Sequence, residues 1–265
     1  MCLNENILSS ERIGKYLETD TLGRNLIVLD EVDSTNNYAK NLAQNGAENG
    51  TAVIADYQTA GKGRLGRTFV SPKGTGLYIS VILRNDISIS SAQLITSCAA
   101  VAAAEAVEEI CGCDVKIKWV NDLFLGGRKL CGILTEASIT DKLEYVIIGI
   151  GINAGRISGK IPSELEEIAT SIEQETGKNI NRNQLCAVLL KKLEYRLSQL
   201  ESGRFIDEYR RRSMIIGETV LIEERGVRRK GKAVAIADDA GLTIEFDDGE
   251  IRTINSGEAR IFRQK

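Results

Sequence analysis

Residues 92–110 read AQLITSCAAVAAAEAVEEI, an alanine-dominated run without glycine or proline. Alanine is the strongest helix former, so the run predicts a helix, capped by Ser91 and ended at Gly112. Side chains this short let the backbone lie close against a sheet, and they give the helix little to stand on alone. The chain must therefore supply a sheet. Short apolar runs at 25–29, 51–57 and 77–83 precede the helix, and 115–118, 123–125, 130–136 and 145–152 follow it. Their length predicts buried strands. Asp33-Ser34-Thr35-Asn36 opens a helix that stops at Gly46, and Ser9 or Ser10 caps a short one within 9–19. Leu185, Val188, Leu189, Leu193 and Leu197 lie at helical spacing within 181–200. Gly155, Gly159 and Pro162 mark a polar connection, followed by one or two helices.

Near Arg212 the period changes. Residues 217–265 hold five short alternating runs (ETVLIEE, GKAVAIA, GLTIEF, GEIRTI and EARIF). Turns at Arg225-Gly226, Asp239-Ala240-Gly241 and Asp248-Gly249 separate them. This pattern predicts a small SH3-like barrel. The expected class is α+β: a mixed sheet flanked by helices over 1–213, and the barrel over 214–265.

The chain contains no histidine. That excludes Ser-His-Asp and Cys-His catalysis, HExxH zinc sites and imidazole proton shuttles. Six cysteines are present without a C-x-x-C pair, and Cys98, Cys131 and Cys186 sit in apolar runs, as buried thiols do. The N-terminus lacks a basic stretch leading into an apolar one, and no apolar run approaches the ~20 residues of a membrane span. A cytoplasmic protein is expected, with no membrane partner. A net charge of −3 argues against a general nucleic-acid binder.

Positive charge is nevertheless concentrated. Between Tyr57 and Leu83 stand Lys62, Arg64, Arg67 and Lys73 with no acid. The loop that carries them, 58–76, holds five glycines. Glycines let backbone amides approach a ligand, and arginines fork onto phosphate or carboxylate oxygens. The loop reads either as an anion-binding flap or as a solvated surface segment. Gly61-Lys62 is followed by Gly63, so it is not a Walker A loop. Gly149-Ile150-Gly151-Ile152-Asn153-Ala154 fits a loose dinucleotide fingerprint, but Gly155, Gly159 and Pro162 deny the helix that must follow. The better reading is that Gly149 and Gly151 leave room for a flat ligand beside a buried strand. Lys116, Lys118, Arg128 and Lys129 surround a single nearby acid, Asp122.

Asp33-Ser34-Thr35-Asn36, GKGRLGR, KWVNDL, RKLCGILTE and GIGIN occur in the order and spacing of biotin protein ligases, which the chain resembles from about residue 9 onward. The resemblance implies a sheet related to class II aminoacyl-tRNA synthetases, with an SH3-like barrel behind it. It implies a ligase that joins biotin to ATP as biotinyl-5′-adenylate, then transfers biotin to a lysine of a biotin carboxyl carrier domain. Biotin would meet Ser34, Thr35, Asn36, Gln58, Gly61, Lys62, Gly63, Arg64, Lys129, Gly132 and Gly149. The nucleotide would meet Arg64, Arg67, Phe69, Asn121 and Asn153. Lys129, Arg64 and Asp122 would carry the chemistry, with Asp122 beside Mg²⁺. Family members are monomers or dimers, so a homodimer is left open. The first motif lies too near the start for an N-terminal DNA-binding domain, so a monofunctional type is expected. Three positions depart from the family pattern: Lys62 where arginine is commoner, Val120 for proline, and Phe69 for an adenine-stacking tryptophan. Lipoate-protein ligases and biotin-sensing regulators are the alternatives.

Overall fold

The computed structural model describes residues 6–84, 88–224 and 227–262. In chain order the first elements are α1 (Ser10–Gly14), β1 (Leu26–Leu29), α2 (Thr35–Gln44), β2 (Ala52–Ala55) and β3 (Gly76–Leu83). Next come α3 (Ile89–Ala92), α4 (Ile95–Cys111), β4 (Lys116–Lys118), β5 (Asp122–Leu125), β6 (Arg128–Ile139) and β7 (Leu143–Asn153). Helices α5 (Ser163–Glu166), α6 (Ile172–Thr176), α7 (Arg182–Leu197) and α8 (Ile206–Arg212) follow. The chain ends with β8 (Thr219–Glu224), β9 (Val227–Ile236), β10 (Leu242–Phe246), β11 (Ile251–Ile254) and β12 (Ala259–Ile261).

The first seven strands form one sheet in the order β1-β2-β3-β7-β6-β5-β4. Only β1 and β2 run parallel; the other ladders are antiparallel. Alternation decides what covers each face. Leu77, Ile79 and Val81 of β3 and Ile148, Ile150 and Ile152 of β7 join the core built on α4 and α7. On the other face Ile82 and Ile147 pack under Ala39 and Ala43 of α2. Helix α2 is short, and the rest of that face is left to the cleft described below.

Helix α4 is buried along most of its length, from Ile95 to Cys111, as its alanines require. It does not start at Ser91, however. Ser88 accepts the Ser91 N–H and caps the start of the separate short helix α3, while the Ser91 hydroxyl donates to Glu201 at 3.2 Å. The Ser91 side chain is thus spent elsewhere, and α4 begins without a side-chain cap. Gly112 ends it in the left-handed conformation, as expected. Cys98, Cys131 and Cys186 are buried free thiols, pushed well above the usual range by burial. Cys111 and Cys113 are paired with each other, which their spacing had not suggested.

The five C-terminal strands form a second, antiparallel sheet, β11-β10-β9-β8-β12. Among the described residues β11 and β12 are its edges, so the sheet is open where a closed barrel was expected. The predicted Arg225-Gly226 turn lies outside the described residues. Trp119 Nε1 donates to the Ala240 carbonyl at 2.9 Å and joins the two sheets. Arg210 Nε of α8 adds a bond to Ile236 O at 2.8 Å. No helix of the described residues is long and apolar enough to cross a membrane.

Ala103 in α4 is fully buried. Ala103→Leu forces added volume into this contact and is expected to cost about 1–3 kcal/mol. Thermal unfolding of the variant checks this.

Candidate active site

The open half of the α2 face is a cleft with a cavity volume of about 130 Å³. Its floor follows from strand register. Leu134 of β6 stands opposite Gly149 of β7, and Gly132 opposite Gly151. These four residues share the cleft face, and three of them have no side chain. The sequence reading left the space over the glycines for ligand; they line the cleft, and the chain's own side chains share that space. A Cβ on Gly149 would run into the Asn36 amide, and one on Gly151 would stand 2.5 Å from the Phe69 ring. Phe69 also covers Gly132, with 3.3 Å from a Cβ there, and meets Tyr78 edge-on at 6.4 Å between centroids. The glycines admit the chain's own side chains, and those form the surface a ligand meets.

At the Gly149 end the surface is a row of buried polar groups. Asn36 Nδ2 donates to Glu136 Oε2 at 2.7 Å and to Leu134 O at 3.3 Å. Ser80 Oγ lies 2.6 Å from Asn36 Oδ1 and 2.8 Å from Thr35 Oγ1. The Thr35 N–H donates to Gln58 Oε1 at 2.9 Å, and Gln58 Nε2 donates to Ser71 Oγ at 2.7 Å. Ser34 occupies the N-cap of α2, yet its hydroxyl makes no bond to the first turn, so it stays available to the cleft it lines.

Beyond Gly132 the cleft becomes charged. Lys129 lies over Gly132, and its Nζ is 2.8 Å from Asp122 Oδ1. The two form an ion pair on a partly buried carboxylate. Lys118 also lines this end. Burial pushes its ammonium below the usual range, against the pull of Asp122 and Glu258. The other two cations of the expected cluster turn away: Lys116 pairs with Asp114 at 2.8 Å and Arg128 with Glu175 at 2.6 Å.

The glycine-rich loop crosses above. Arg64 Nη1 donates to Asn121 Oδ1 at 3.1 Å, and Nη2 to Gly257 O at 3.2 Å. Arg67 grips Glu258 with both terminal nitrogens. Leu65 and Gly66 turn the tip with positive φ. Asn121 Nδ2 donates to Ile133 O at 2.8 Å, so Asn121 aims Arg64 as well as lining the cleft.

Most predicted site residues converge here: Ser34, Thr35, Asn36, Gln58, Lys62, Gly63, Arg64, Arg67, Phe69, Asn121, Asp122, Lys129, Gly132 and Gly149 line one cleft. Two do not. Gly61 lies behind the wall, where a Cβ would strike Phe69 O and the Ser71 hydroxyl. Asn153 is buried and donates to Thr170 O at 3.0 Å, away from the cleft lining. Sequence reasoning missed Ser80 and Glu136, which hold Asn36 from behind the lining, and Gly257 and Glu258, which line the cleft. An isolated serine or glutamate within a strand gives no motif. The last two come from a distant sheet, which only the fold brings near.

Comparison with known proteins decides the family. Residues 28–153 match the Biotin/lipoate A/B protein ligase family. The bifunctional ligase/repressor BirA of Bacillus subtilis is 36% identical over 96% of this chain and 79% of its own. The chain belongs to the biotin protein ligases. A further relative, the biotin–[acetyl-CoA-carboxylase] ligase of Mycobacterium tuberculosis, is 28% identical over 89% of this chain and 88% of its own. The solved biotin protein ligase of Aquifex aeolicus, in complex with biotin and ATP, superposes with a TM-score of 0.77. It is 32% identical and covers 91% of this chain and all of that one (100%).

In this ligase the Arg67–Glu258 pair latches the loop to the second sheet. Hydrogen bonds from Arg67 hold the Glu258 carboxyl down to about 2, against the opposing effect of burial. A depressed carboxylate pKa adds stability above the unfolded value, near 4.3, and loses it as pH falls toward the folded one. The latch is therefore intact at neutral pH and is expected to fail as pH falls from about 4 toward 2. Glu258→Gln should loosen it at neutral pH, and faster tryptic cleavage after Arg64 or Arg67 checks this.

Proposed function

We propose that the cleft binds biotin and MgATP, joins them as biotinyl-5′-adenylate and passes the biotinyl group to a lysine of a biotin carboxyl carrier domain, releasing AMP. One observation carries this reading. A neutral hydrogen-bonding end, an aromatic-lined middle and a cationic end succeed one another along β6 and β7. That order matches biotin's cyclic urea, its apolar body and its carboxylate beside the α-phosphate.

The first step needs no general base, because a carboxyl with pKa of about 4 to 5 is already ionised at neutral pH. The obstacle is repulsion between that anion and the triphosphate. Arg64, Lys62 and Lys129 supply positive charge where it builds in the transition state. Asp122 would help hold Mg²⁺ on the ATP phosphates, where that ion would neutralise phosphate charge. Phe69 offers the adenine an aromatic face smaller than the tryptophan common in the family. In the second step the acceptor lysine must lose a proton, a cost of roughly 4–5 kcal/mol at pH 7 for an unperturbed amine. Asp122 would take that proton or hold the ammonium in place.

We assign the reaction to the cytoplasm, where MgATP is available. We also assign residues 214–265 to the SH3-like class on strand number and length, and residues 1–213 to the catalytic unit. The acceptor would approach across Gly257 and Glu258.

Mass spectrometry of a carrier domain incubated with the protein, biotin and MgATP tests the function; the expected result is one added biotin on one lysine. Pyrophosphate exchange supported by lipoate and not by biotin would overturn it. Lys129→Ala is expected to lose exchange by about a hundredfold or more, as loss of a transition-state charge contact does, with unfolding temperature retained.

A further inference from the structure

Lys118 lines the cleft and has no part in the roles assigned so far. Its fellow cations are engaged: Arg67 is paired with Glu258, Lys129 with Asp122, and Arg64 is hydrogen-bonded to Asn121 and Gly257. Among the described residues Lys118 has neither an ion pair nor a side-chain hydrogen bond. Its Nζ stands 5.9 Å from the centre of the Phe124 ring, so its N–H donors are open to a ligand. Lys62 is also unpaired, but it rides on the loop, whereas Lys118 is fixed to a strand. The Met214 N–H donates to Ile117 O at 3.0 Å, and the Tyr209 hydroxyl to Val120 O at 2.9 Å, which hold that strand and its turn in place.

Strand register fixes where Lys118 stands. Gly151 of β7 is opposite Gly132 of β6, Gly132 opposite Asp122 of β5, and Asp122 opposite Lys118 of β4. Opposed residues face the same side of a sheet. These four therefore make one rung across the cleft floor, with Lys118 at its outer end.

The chemistry gives that rung a direction. In the first step a carboxylate oxygen of biotin forms a bond to the α-phosphorus of ATP. The bond from that phosphorus to the α,β-bridging oxygen breaks, and pyrophosphate leaves with the electron pair and its negative charge. Entering and leaving oxygens lie roughly in line. The carboxylate comes from the Gly149 side and meets the α-phosphate beside Lys129, over Gly132. The β- and γ-phosphates then extend away from β7, past Asp122, and Lys118 is the next cation on the rung.

We infer that Lys118 is a catalytic residue of adenylate formation: it binds the β- and γ-phosphates of ATP and neutralises the charge that gathers on pyrophosphate as it leaves. The inference rests on the biotin reading of the cleft and gives the leaving group a place of its own. It also divides the cations by step. Once pyrophosphate has gone, Lys118 has no phosphate left to hold, whereas Lys129 still lies beside the mixed anhydride.

The test uses the full-length protein, Lys118→Gln, and Lys118→Met as a second variant should the glutamine one prove unstable, with unfolding temperature as a control. Biotin-dependent ATP–pyrophosphate exchange reports the first step. Synthetic biotinyl-5′-adenylate with magnesium pyrophosphate gives the KM for pyrophosphate in the reverse direction. The same adenylate with a carrier domain reports transfer alone. The variants should raise the pyrophosphate KM and lower exchange by about tenfold or more, as loss of a charge-assisted contact does. Transfer from the adenylate should fall by less than about threefold. An unchanged pyrophosphate KM in a folded variant overturns the inference. So does transfer that falls as far as exchange, because Lys118 would then serve the acyl group. Either result leaves biotin activation standing. No exchange with biotin in the wild-type protein overturns the underlying reading as well.

Discussion

Strand β7 serves two masters by alternation. Its isoleucines, Ile148, Ile150 and Ile152, bind the sheet to the layer of α4 and α7. Its glycines, Gly149 and Gly151, leave the opposite face bare. A strand with apolar side chains on both faces would have drawn a helix over the second one and closed the cleft. The site is thus a consequence of withholding side chains at two positions in the best-buried part of the sheet. Asn36 and Phe69 then reach into the vacated space from α2 and from the loop. The ligand surface is assembled from groups far apart in sequence.

The two ends of that surface use electrostatics differently. At the Gly149 end Thr35, Asn36, Gln58, Ser71 and Ser80 are all buried, and each meets its neighbour. Buried polar groups are costly unless paired, so such a row is rigid and selects by direction. At the Lys129 end the cations are partly exposed, and two carboxylates, Asp122 and Glu258, partly balance them. Such groups can exchange partners when phosphates arrive. Recognition is built where the protein is dry, and charge neutralisation where it is wet.

Much of this was legible in the sequence. The strands at 26–29, 52–55, 76–83 and 143–153 fall where apolar runs predicted them, because burial on both faces or one leaves a direct mark. The helix refusal after Gly151 was read from Gly155, Gly159 and Pro162, and β7 indeed runs extended through both glycines. The start of α4 was misjudged because several serines compete as caps, and only tertiary contacts decide which hydroxyl is free. The cationic cluster around Asp122 was overcounted, since Asp114 and Glu175 draw off Lys116 and Arg128 from outside the motif. Gly149 and Gly151 were read as room for ligand, and they line the cleft; that Asn36 and Phe69 share the space could not be read from spacing.

The chain's single tryptophan bonds the second sheet through Ala240 and lines the cleft as well. Its indole is almost wholly shielded from solvent. The molecule thus carries one indole fluorophore, seated where the two sheets and the ligand surface meet. Excited at wavelengths that its seven tyrosines do not absorb, it emits alone. A single spectrum therefore registers both the seating of the C-terminal sheet and the arrival of whatever fills the cleft.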